Sequence, residues 1–178
     1  MAISSDNVDI IVSSTLTSTQ GFHTTSITRL ALRGSRPPSC TLHLYFTIPA
    51  HLFTDPYELD HRRAHYTFQR FGGGNLEAPV FAPGGASGPS ALLLDLTIPE
   101  GRRCQDDPVD NDDADGSGSV LSIEVPLHAR YGVPKMADDL VDEVLLPPPE
   151  AFWTCAQGGV VGGGGGGEGA LFLVFACL

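Results

Sequence analysis

VLSIEVPLHARYGVP, residues 120–134, decides how the chain is read. Leu121, Ile123, Val125, Leu127, Ala129 and Tyr131 fall on one side of a period-two alternation, and Ser122, Glu124, Pro126, His128 and Arg130 fall on the other. Successive side chains of a strand point to opposite faces, so the pattern is that of a half-buried β-strand. Pro126 has no N–H to give to a ladder, which predicts a strand at a sheet edge, or broken at the proline, with His128 and Arg130 facing outward.

Two more stretches alternate as clearly. In CTLHLYFTIP (40–49), Leu42, Leu44, Phe46 and Ile48 interleave with Thr41, His43, Tyr45 and Thr47. In residues 92–98, Leu92, Leu94, Leu96 and Ile98 interleave with Leu93, Asp95 and Thr97, and an Ile-Pro pair closes both stretches. Three strands with one apolar face each need a second layer to cover them, so the expected fold is all-β, an antiparallel β-sandwich of two sheets. The 21 Gly and 14 Pro among 178 residues add long glycine-rich loops and few helices to that expectation. The length suits one domain with a sizeable core.

Elsewhere the signals are weaker. Residues 8–12 are a short apolar run before a Ser/Thr-rich stretch, and GFHTTSITRLALRG (21–34) reads as a strand ending near Gly34. A turn is expected at Asp55-Pro56, a short helical piece over 58–65, an extended piece over 76–81 and a strand within 137–146. Residues 106–119 read as a disordered acidic insertion. The domain boundary is placed at 155, followed over 156–178 by a glycine-rich linker and nine apolar residues, ALFLVFACL, too few to span a membrane as a helix and read as a truncated or degenerate anchor.

Charge and motifs exclude several functions. Ten Lys and Arg against 21 Asp and Glu give a net charge of −11, with Lys135 the one lysine, which argues against a nucleic-acid partner. Cys40, Cys104, Cys155 and Cys177 show no metal spacing and fit either reduced thiols or disulfides. Residues 1–10 lack the basic and apolar regions of a signal peptide. His61 and His65 beside Asp60 would need Glu at 62 to resemble a zinc protease, but Arg62 stands there. Asn111, Asp113, Asp115 and Gly116 imitate half of a calcium loop that then meets Ser122 instead of a bidentate Glu. There is no GxSxG and no phosphate loop, so no catalytic, cofactor or metal residues are assigned. A hydrolase would instead bring a Ser/His/Asp cluster within hydrogen-bond reach.

Six segments in order, GFHTT (21–25), CTLHLYFTIP (40–49), LFTDPYEL (52–59), NLEAPVF (75–81), VPLHARYGVP (125–134) and PPPEAFWTC (147–155), resemble PIG-X and its fungal counterparts. These are accessory subunits of glycosylphosphatidylinositol (GPI) mannosyltransferase I. The resemblance implies a lumenal β-rich domain at the endoplasmic reticulum membrane, without catalytic residues or cofactor. It would stabilise the multi-spanning catalytic subunit that adds the first mannose of the GPI anchor. Asp55, Pro56, Tyr57, Glu58, His128, Arg130 and Tyr131 are then interface or family-motif candidates. The structural alternative makes Tyr57 and Tyr131 core or corner tyrosines and pairs Arg130 with Glu58 or Glu77. The oxidising lumen and the matched segments imply a Cys40–Cys155 disulfide. The competing expectation is a secreted or cell-surface β-sandwich that binds carbohydrate or peptide on a concave face lined by Trp and Tyr, although Trp153 is the only tryptophan.

Overall fold

A computed structural model describes residues 9–33, 39–72, 78–81, 88–98, 119–132, 141–156, 160–161 and 171–176. Its elements are β1 (Asp9–Leu16), β2 (His23–Arg33), β3 (Cys40–Ile48), β4 (Leu52–Phe53), α1 (Pro56–Asp60), β5 (Tyr66–Gly72), β6 (Ser90–Leu96), β7 (Ser119–Ala129), β8 (Val141–Leu146), β9 (Glu150–Cys155), β10 (Val160–Val161) and β11 (Leu171–Ala176). One sheet runs β1-β2-β7-β4 and the other β10-β9-β3-β6-β5, while β8 and β11 form a separate pair. Every pairing is antiparallel. The fold is an all-β sandwich.

The period-two patterns explain the two layers. Ile10, Val12, Leu30, Leu32, Ile123, Val125 and Leu127 are buried on one sheet, and Leu42, Leu44, Phe46, Ile48, Leu92, Leu94, Leu96 and Trp153 on the other. All belong to one apolar cluster, so the two inner faces cover each other. Burial of each such large side chain contributes roughly 1.5–3 kcal/mol before the cost of ordering is counted. The lone tryptophan is fully buried in that core and lines no binding face.

Pro126 faces a sheet edge, as its sequence predicts, although the end of β7 is covered. β7 is second from the end of its sheet, because β4 pairs with its last two residues. The Ala129 N–H bonds the Phe22 carbonyl on the β2 side, while the Arg130 N–H bonds the His51 carbonyl on the β4 side, each at 2.8 Å. Alternation along the strand therefore points the amide position of Pro126 away from β2, so the β2–β7 ladder loses nothing. On the far side the continuing register would set Asp55 opposite the proline, and there the chain leaves the sheet to start α1. At Glu124 the chain itself meets that edge: the Tyr66 hydroxyl donates to the Glu124 carbonyl at 3.1 Å, and Arg62 pairs with the Glu124 carboxylate at 2.5 Å.

Other expectations shift as well. The helix is shorter and earlier than 58–65, ending at Asp60 and followed by turns through His65. Residues 78–81 turn instead of extending, and β4, β5 and β9 are strands where none was expected. The apolar stretch at the end contains β11, whose backbone pairs with β8. Among the described residues no helix is long and apolar enough to cross a membrane. Residues 106–118 of the acidic insertion, with Asn111, Asp113, Asp115 and Gly116 of the calcium-like loop, lie outside the described residues, while Ser119 opens β7 and Ser122 lies within it.

Candidate functional site

LFTDPYEL builds a corner beside β7, and most of its letters have a physical task. Leu52 is buried, and Phe53 pairs with His128 as β4. The Asp55 carboxylate caps α1, accepting the Tyr57 N–H at 2.8 Å, and Pro56 occupies the helix start, where its missing N–H costs nothing. Leu59 is fully buried and pins the turn to the core. Between these anchors Tyr57 points outward, 76% exposed, and Glu58 turns to β7, where its carboxylate meets His128 Nε2 at 2.8 Å.

VPLHARY supplies the opposite wall. Val125 and Leu127 face the core. His128 is wedged between three groups: the Glu58 carboxylate, the His23 ring in edge contact at 4.7 Å, and the Phe53 ring stacked at 5.1 Å. Beyond Ala129 the alternation ends, and the last two positions exchange roles. Arg130, expected to face outward, is buried; its guanidinium donates to the Ala78 carbonyl at 2.9 Å and lies 4.9 Å from the Phe53 ring centre. Burial, with a smaller contribution from Arg70, lowers its pKa from the usual arginine value. Tyr131, expected on the apolar side, is 65% exposed, tilted against Phe22 at 5.6 Å, and its carbonyl accepts the Val80 N–H. Neither Tyr57 nor Tyr131 is a core tyrosine. Glu58 is engaged by His128, while Glu77 lies outside the described residues.

Segments 21–25, 52–59, 78–81 and 125–132 thus meet at one corner, although up to a hundred residues separate them. Two neighbouring clefts open there. One of about 500 Å³ is lined by Thr17, His23, Thr25, Glu58, His61 and His128, among others. The second, about 480 Å³, is lined by Phe22, His23, Phe53, Arg130 and Tyr131, among others, and shares His23 and His128 with the first. The remaining two segments lie in the other sheet as β3 and β9, where Cys40 stands opposite Cys155 in register and is joined to it by a disulfide across a separation of 115 residues.

Sequence reading missed a polar line on the outer face of that sheet. His43 Nδ1 meets Asp95 Oδ1 at 2.7 Å and its Nε2 meets the Thr154 hydroxyl at 2.5 Å, with Phe152 stacked on the ring at 5.2 Å. Hydroxyl, imidazole and carboxylate in line is part of what a hydrolase requires. The rest is missing at this position. Thr154 sits within β9, flanked by β3 and β10, so its backbone polar groups belong to ladders and none is free to form an oxyanion hole. The hydroxyl is on a β-branched residue of a regular strand and not on a constrained turn. Its period-two spacing was visible; the partners, 52 and 111 residues away, were not. Among the described residues no three His, Cys, Asp or Glu side chains are grouped to hold a metal, and His61 and His65 are both exposed in the turns after α1.

What fold and site define is a two-sheet β-sandwich whose signature residues cap, pin and cross-link one corner. The PIG-X / PBN1 family profile matches residues 19–161, which takes in strands of both sheets from β2 to β10, and the chain belongs to that family. It is 30% identical over 149 residues to "Protein pbn1" of Neurospora crassa, covering 76% of this chain and 25% of the relative. To "Protein PBN1" of Gibberella zeae it is 29% identical over 149 residues, covering 76% of this chain and 26% of the relative. The chain spans about a quarter of the length of these curated relatives.

Proposed function

We propose that the chain is an accessory, non-catalytic component of GPI-anchor biosynthesis. In this reading it stabilises the multi-spanning catalytic subunit of GPI mannosyltransferase I, which adds the first mannose. It works at the endoplasmic reticulum membrane with its sandwich in the lumen. The observation that carries this is the family match across 19–161, which covers β2 to β10 and so far more than an isolated motif.

The corner is the proposed seat of the catalytic subunit. Asp55, Pro56, His128 and Arg130 build it, by capping, turning, bridging and buried anchoring. Tyr57, Tyr131 and the half-exposed Glu58 present it, and exposed aromatics of this kind are enriched where proteins meet. The test is recovery of the mannosyltransferase with the tagged protein from mild detergent. Tyr57→Ala should reduce recovery while leaving the melting transition in place. Unchanged recovery in the Tyr57→Ala/Tyr131→Ala double variant would move the seat elsewhere.

A further inference from the structure

The two clefts differ in chemistry, and the difference selects a ligand. The first is polar and of mixed sign. Glu58 has one carboxylate oxygen on His128 and the other without a hydrogen bond among the described residues, Thr17 accepts the Thr25 N–H through its hydroxyl oxygen and still has an O–H to donate, and His23 and His61 are exposed. An anion would face the Glu58 carboxylate in a chain of net charge −11, and a cation would face Arg62 and three imidazoles. The second cleft is aromatic. Phe53 has its ring engaged by His128 and Arg130 and is held rigid, leaving Tyr131, backed by Phe22, as the exposed ring beside the cleft. Beside the clefts strand addition by an extended peptide is obstructed, because β4, Pro126 and the Tyr66 and Arg62 contacts occupy the free side of β7 over 124–129.

A neutral ligand with a hydroxyl rim and an apolar C–H face matches both clefts at once. We propose that the two neighbouring clefts together bind a short neutral glycan, one pyranose lying on Tyr131 and Phe22 and the next presenting hydroxyls to Glu58, His23 and Thr17. Each cleft falls within the roughly 300–1,000 Å³ of ordinary small-molecule sites. The inference goes beyond the accessory-subunit reading and does not depend on it: Tyr57 lines neither cleft and serves the subunit alone, whereas Tyr131 and Glu58 are shared, so glycan and subunit would compete for them.

Saturation-transfer NMR on the purified protein alone, with α-linked mannotriose and cellotriose as probes and methyl phosphate, an anion with observable methyl protons, as the control, tests it. At least one trisaccharide should receive saturation at ring C–H protons of one face at millimolar concentration. Tyr131→Ala and Glu58→Gln should each weaken binding by about tenfold or more, the size expected for losing a ring platform or a paired hydroxyl acceptor. Phe71→Ala, an exposed ring on the other sheet, should leave it unchanged. Both site residues are solvent-facing, and a retained melting transition verifies that their variants fold. No transfer to either sugar, undiminished transfer in Tyr131→Ala, or a response to methyl phosphate alone would overturn the proposal. The outcome is independent of partner capture.

Discussion

Removing the Cys40–Cys155 bond should be among the most damaging double substitutions in the chain. The bond closes a loop with a sequence separation of 115, so the chain-entropy relation gives about 4.8 kcal/mol of lost stability at 25 °C. Local packing adds little, because alanine at both positions removes only two sulfur atoms, one of them on a residue already partly accessible. The ladder between β3 and β9 would survive in the folded state, from Thr41–Thr154 to Tyr45–Glu150, so the cost falls on the unfolded side of the equilibrium. Urea unfolding of Cys40→Ala/Cys155→Ala should therefore show a midpoint far below that of the oxidised protein, with a larger m-value from a more expanded denatured chain. Reducing the unsubstituted protein should reproduce the shift. A loss below about 1 kcal/mol, or free thiols at both positions in non-reducing mass spectrometry, would refute the reasoning.

Four further outcomes follow from single contacts. Burial pushes the Tyr66 hydroxyl up to about 12, with Arg62 lowering it and Glu124 raising it by smaller amounts. A raised folded-state pKa gives stability that is complete below pH 10 and lost between pH 10 and 12, by about 3 kcal/mol at most; Tyr66→Phe should flatten that alkaline fall in a pH series of unfolding curves. Gly72 has φ +92°, and a Cβ there would lie 2.9 Å from the Pro89 carbonyl oxygen, so Gly72→Ala should lower the melting temperature and loosen the β5–β6 junction in amide exchange. Leu59→Ala should cost roughly 2–5 kcal/mol, since the side chain is fully buried and anchors α1. Thr154→Val removes the hydroxyl that meets His43, and should cost about 1–3 kcal/mol in unfolding experiments while leaving mannosyltransferase recovery unchanged.

The strands most legible in the sequence were those whose alternation runs over a long apolar face, β3, β6 and β7; β2 was read from its Thr and Ile content, and it buries Thr24, Ser26 and Thr28 beside Leu30 and Leu32. β5 hid because YTFQRFG follows the polar stretch HRRAH and buries only Tyr66. β4 has two residues and exists only through its register with β7. The reading of 120–134 failed where it assumed that the alternation continues past the sheet. From Arg130 onward the side-chain directions follow the His51 and Val80 backbone bonds, and the arginine turns inward while the tyrosine turns out. The corner was partly legible: the residues of DPYEL and VPLHARY were singled out, but their convergence with Phe22, His23 and Ala78 depends on four segments whose proximity no local pattern encodes.

Affinity purification of the tagged protein in mild detergent, paired with an assay of GPI-anchor synthesis after deletion of its gene, tests the central claim most directly. The account predicts recovery of a multi-spanning mannosyltransferase and a block at addition of the first mannose. Recovery of no such enzyme, together with normal anchor synthesis in the deletion, would contradict it.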